Sequence, residues 1–93
     1  MNIKNRLKVV YRGNVQGVGF RFAVRHLAET YDICGIVRNE PDGSVLVVAE
    51  GTRGCLDSFL AAVETSHVAG YIREKTVEEE PYLGEFSRFR VDY

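Results

Sequence analysis

The sequence predicts an α+β fold: a mainly antiparallel sheet built in the order β-α-β-β-α-β, with a short added C-terminal strand and both helices packed on one face. Three observations predict it. Short apolar, β-branched runs stand at residues 7–11, 36–39 and 44–50. Between and after them the apolar period changes to that of a helix, at Phe20, Val24, Leu27, Ala28 and Tyr31 and again at Leu56, Phe59, Leu60 and Val63. Strong turn residues fall at the joints, as in Gly13-Asn14 and Pro41-Asp42-Gly43.

The first strand is expected over residues 7–11 and stops at Gly13-Asn14. A helix follows from Phe20 and ends at Asp32, with Arg21, Arg25, His26 and Glu29 largely off its apolar stripe. Residues 34–39 are expected as a second strand and residues 44–50 as a third, joined by the turn Glu40-Pro41-Asp42-Gly43. The unbroken apolar run of the third strand suits a central, covered position. Gly51-Thr52 is expected to break it, with Thr52 capping the second helix. Residues 71–80 are polar enough for an edge strand. Residues 81–84 form a loop, and residues 87–92 a closing strand. This order is the ferredoxin-like, split βαβ arrangement, whose right-handed crossovers bring both helices to one side of the sheet.

Ninety-three residues, 45% hydrophobic and 27% charged, fit one globular domain spanning 1–93. The net charge of −1 gives no overall basic footprint for nucleic acid. No apolar run reaches the roughly 20 residues of a membrane-spanning helix, and the N-terminus lacks the length of a signal peptide. A cytoplasmic location is expected. Charge is uneven along the chain: residues 1–46 carry +3 and residues 47–93 carry −4. Cys34 and Cys55 have no zinc-like spacing and are expected as buried free thiols. His26 and His67 have no partner at informative spacing, and Glu78-Glu79-Glu80 is expected as a solvated strand end.

The chemistry-bearing stretch is Gly13-Asn14-Val15-Gln16-Gly17-Val18-Gly19-Phe20-Arg21, which joins the first strand to the first helix. Glycines let successive main-chain N–H groups converge into an anion nest, and the helix adds its positive N-terminal end. It is neither of the common nucleotide loops, because no Gly-Lys pair occurs and G-x-G-x-x-G fails at Phe22. Arg21 opposes the helix dipole in the first turn, a conflict that a bound dianion reverses. On local physics a solvated arginine covering the core with its stem is an equal reading. Asn39 ends the second strand, which the crossover sets parallel to the first, so it can face the glycine loop. Its carboxamide can donate and accept at once, which suits holding a water. Taken alone, it reads rather as a residue capping the turn. Tyr11 and Phe22 suit either the pocket border or the core.

Together, Gly13-x-Val15-Gln16-Gly17-Val18-Gly19-Phe20-Arg21 and Gly35-Ile36-Val37-Arg38-Asn39-x-x-Asp42-Gly43-x-Val45 resemble the two signatures of the acylphosphatase family. The resemblance runs through Val77-Glu78-Glu79-Glu80-Pro81 and the closing Phe86-Ser87-Arg88-Phe89-Arg90-Val91. It implies hydrolysis of a small-molecule acyl phosphate to a carboxylate and inorganic phosphate, with phosphate as product and inhibitor. It also implies no metal and no cofactor. Arg21 would bind the phosphate, the backbone of Val15, Gln16, Gly17, Val18, Gly19 and Phe20 would cradle it, and Asn39 would position the attacking water. Ile36 departs from the family's frequent tryptophan, and Lys75 from an apolar residue. Related domains open larger hydrogenase-maturation proteins that process carbamoyl phosphate. Those commonly have proline after Gly-Phe-Arg, where this chain has Phe22, and the ending at residue 93 adds to the expectation of a stand-alone enzyme; its small size and near-neutral net charge fit a monomer. The RNA-binding domains that share this element order need aromatics on the central strands, and residues 45–50 have none.

Overall fold

A computed structural model describes residues 3–93. The elements are β1 (Lys4–Gly13), α1 (Phe20–Thr30), β2 (Cys34–Asn39), β3 (Val45–Thr52), α2 (Arg53–Val63), a short 3₁₀ turn (Ala69–Tyr71), β4 (Ile72–Glu80) and β5 (Phe89–Asp92). The five strands form one sheet in the order β4-β1-β3-β2-β5. β1 is antiparallel to β3 and β4, β2 is antiparallel to β3, and β5 joins β2 in parallel. β3 is central, as its apolar run implied. β4 and β5 are the edges. This is the ferredoxin-like α+β arrangement with its added strand.

Strand alternation sorts side chains between two faces. Leu7, Val9 and Tyr11 of β1, with Val45, Val47 and Ala49 of β3, meet Phe20, Val24 and Ala28 of α1 and Leu56, Phe59 and Val63 of α2 in the main core. Fully burying each valine, leucine or phenylalanine among them contributes about 1.5–3 kcal/mol. Tyr11 lies wholly in this core, edge-on to Phe20, and its hydroxyl donates to Glu64 at 3.1 Å. Phe22, by contrast, is exposed. On the other face a smaller cluster of Ile36, Leu46 and Val48 is covered by Phe86. The segment carrying Phe86 is fastened there. Glu50 accepts from the Leu83 and Gly84 amides at 2.9 and 3.2 Å. Arg6 bridges Glu50, Glu80 and Glu85 and lies over the Phe86 ring.

Several boundaries differ from the sequence reading. β1 extends from Lys4 to Gly13, because pairing with β3 and β4 holds its polar ends in the sheet. β3 runs through Gly51 and Thr52, which pair with Asn5 and Lys4 rather than breaking the strand. Thr52 nevertheless caps α2, accepting the Cys55 amide at 3.3 Å, so strand passes directly into helix. β5 begins at Phe89 and not at residue 87. Both cysteines are free, as expected, but half-buried rather than buried. Glu78 and Glu79 are exposed at the end of β4, as expected, and Glu79 and the half-buried Glu80 also pair with Arg53 and Arg6. No helix among the described residues is long and apolar enough to cross a membrane.

Candidate active site

β1 and β2 flank β3 and are both antiparallel to it, so they run in the same direction. The loop leaving β1 and the turn leaving β2 therefore meet at one end of the sheet. The register of β1 against β4 shifts between Arg12 and Gly13, and this irregularity turns the chain into the loop. Gly13 is pressed against β4: a methyl group added there would sit 2.3 Å from the Tyr71 carbonyl oxygen. The next amide, Asn14, donates to that same carbonyl at 3.0 Å. Val15 is fully buried and anchors the loop in the core.

Gly17 and Gly19 adopt φ of 76° and 78°, the left-handed region that favours glycine. Gly19 is the N-cap of α1 and provides no side-chain cap, and the first turn contains no acidic residue. The opening N–H groups of α1 thus lack helical partners and carry the positive end of the helix dipole. The second glycine-rich position of the loop consequently does two jobs: it bends the chain and leaves the helix terminus uncovered.

Val15, Gly17, Gly19, Phe20, Arg21, Phe22 and Asn39 line a cleft of about 200 Å³. The structure so brings the predicted arginine and asparagine to one cleft with the glycine loop. The Asn39 Oδ1 atom is buried and has no hydrogen-bond partner among the described residues. The Arg21 guanidinium lies 4.9 Å from the centre of the Tyr93 ring. Phe22 forms part of the wall, and the Arg25 guanidinium lies 5.6 Å from its ring centre.

Two members of the expected cradle are not among the lining residues. Val18 packs partly against the main core. The Gln16 side chain turns to the β2–β3 turn, where Nε2 donates to the Glu40 and Ser44 carbonyls at 2.8 and 2.9 Å. Asp42 shapes that turn. It accepts from the Ser44 hydroxyl and amide at 2.6 and 3.0 Å and pairs with Arg12 at 3.0 Å. The Ser44 bonds, with Arg12, hold the Asp42 carboxyl down at about 2. Sequence reasoning missed Tyr93 and the Gln16 side chain. No local signal marks Tyr93, whereas the Gly-rich motif named Gln16 but not the direction of its side chain.

The acylphosphatase family model matches residues 7–91. The chain belongs to the acylphosphatase family. An acylphosphatase of Bacillus licheniformis is 36% identical over 86 residues, covering 92% of this chain and 96% of the relative. The crystal structure of an acylphosphatase from Bacillus subtilis superposes with a TM-score of 0.88 at 34% identity, covering 96% of this chain and 99% of that one. A structure of full-length HypF in its phosphate- and nucleotide-bound form matches all of this chain with a TM-score of 0.90 at 26% identity, over 12% of its own length. The same fold thus occurs both in a chain of about this length and as a small part of a larger one.

Proposed function

We propose that acyl phosphate hydrolysis, the activity of the family, is carried out here by the main-chain cradle, Arg21 and Asn39. The phosphoryl group of the substrate sits against the amides of the loop from Val15 to Phe20. Arg21 neutralises its charge through a planar fork of donors. Asn39 holds a water beside the phosphorus through its carboxamide. That water attacks phosphorus, the bond from phosphorus to the acyl oxygen breaks, and the carboxylate leaves with the electron pair. The water proton passes to a phosphoryl oxygen, giving inorganic phosphate.

A carboxylate is a good leaving group, so positioning and charge stabilisation supply most of the acceleration. The observation that carries this reading is the shared cleft, which is lined by the glycine loop, Arg21 and Asn39 together. We read the protein as a monomer acting in the cytoplasm on a small molecule. The modest cleft suits such a substrate, and no strongly basic surface is implied by the net charge.

The test is phosphate release from benzoyl phosphate with a chelator present. Arg21→Ala is expected to lower kcat/KM by at least about 10²-fold and to weaken competitive inhibition by phosphate. Asn39→Ala is expected to lower kcat while leaving the phosphate Ki nearly unchanged. Full activity in Arg21→Ala would overturn the assignment.

A further inference from the structure

We propose that Gln16 is a positioning residue, which sets the Asn39 carboxamide at the right distance from the phosphate cradle. The inference rests on the reading of Asn39 given above.

Asn39 is the last residue of β2, and the turn that follows begins with Glu40. The turn is already closed by its own bonds. Glu40 N donates to the Ser44 carbonyl at 2.9 Å, and Gly43 N to the Glu40 carbonyl at 3.1 Å. Asp42 accepts two further bonds from Ser44. Gln16 is therefore not needed to shape it. Its two N–H donors go instead to the Glu40 and Ser44 carbonyls, one at each end of the turn. They tie the turn to the cradle loop.

The loop has separate anchors of its own, at Gly13 and Asn14 against Tyr71 and at buried Val15. The Gln16 carboxamide thus adds a fixed spacing between two bodies, one binding phosphate and the other presenting Asn39. Spacing is what in-line attack by a held water demands, since a misplacement of about 1 Å costs on the order of 10²-fold in rate.

The experiment is a double-mutant cycle on benzoyl phosphate hydrolysis. Gln16→Met keeps the length of the side chain and removes both donors. It is expected to lower kcat by about tenfold or more, with phosphate Ki within about twofold of wild type. In an Asn39→Ala background the same substitution is expected to cost less than about twofold, because the group it serves is gone. Gln16→Glu and Gln16→Asn, one lacking the donors and one too short, are expected to show the same split. Thermal unfolding establishes which variants are folded. Wild-type kcat in the folded Gln16 variants would overturn the proposal. So would losses that multiply in the double mutant, or a phosphate Ki that rises in step with the fall in kcat, the mark of a damaged cradle. Full activity in Asn39→Ala would instead remove the role given to Asn39 itself.

Discussion

Arg21 stands where a helix dipole favours an anion, and no acidic side chain in the first turn offsets it. Its guanidinium lies over the Tyr93 ring, a cation–π contact that brings no competing negative charge from the ring itself. Lysine at this position would keep the charge and lose the planar fork. Arg21→Lys is therefore expected to retain weak phosphate inhibition but to lower kcat/KM by about 10²-fold, measured as initial rates on benzoyl phosphate. That Arg21 and Asn39 share a cleft was legible in the sequence, because one follows the loop leaving β1, the other ends β2, and the two strands run in the same direction. Gln16 was legible only as part of the loop backbone. Its side-chain partners belong to a turn more than twenty residues later, and no local pattern states that the turn comes within reach. Tyr93 was silent for the same reason.

At the scale of elements, the helices and inner strands followed from period, whereas the ends of β1 and β3 did not. Lys4, Asn5 and Arg6 look like a polar lead-in, yet they pair with Thr52, Gly51 and Glu50. Pairing supplies the backbone bonds that local propensity leaves undecided. The β3–α2 junction depends on one hydroxyl: Thr52→Ala is expected to cost about 1 kcal/mol, read from urea unfolding. A larger effect belongs to the segment strapped over the open face of the sheet. Arg6→Ala would leave Glu50 without its cation in a buried setting, and about 3 kcal/mol of destabilisation is expected.

The Glu50 carboxyl also gives the strap a pH dependence. Burial pushes it up, but the Leu83 amide, Arg6 and the Gly84 amide outweigh burial and hold it below its ordinary value of 4.5. Its stabilising contribution is present in full above that value and is lost as pH falls below it. Glu50→Gln is thus expected to be less stable than wild type at pH 7, with the gap narrowing towards pH 3. Unfolding curves at the two pH values check this.

Across the whole molecule, a net charge of −1 conceals a directed distribution. Arg6, Arg12, Arg38 and Arg53 are paired with carboxylates. Arg21, Arg25, Arg88 and Arg90 have no ion-pair partner among the described residues, and the last three line a groove that shares Tyr93 with the Arg21 stack. Positive charge, offset in part by Glu29 in the same groove, therefore gathers one aromatic ring away from Arg21. Such a field raises the encounter rate of anionic substrates and is screened by salt. Between about 0.01 and about 0.5 M salt, kcat/KM for benzoyl phosphate is expected to fall several-fold while kcat changes little. Steady-state kinetics across that range measure it.

The strand order has a last consequence, in time rather than in space. β1 and β2 lead into the two halves of the cleft, and in the sheet β3 lies between them. A chain that has collapsed and gained its helices, but has not yet seated its middle strand, has no cavity at all. Such pairings between distant stretches of chain form more slowly than local helices. Turnover regained after dilution from denaturant would then act as a clock for the seating of that strand, starting later than the recovery of helical circular dichroism.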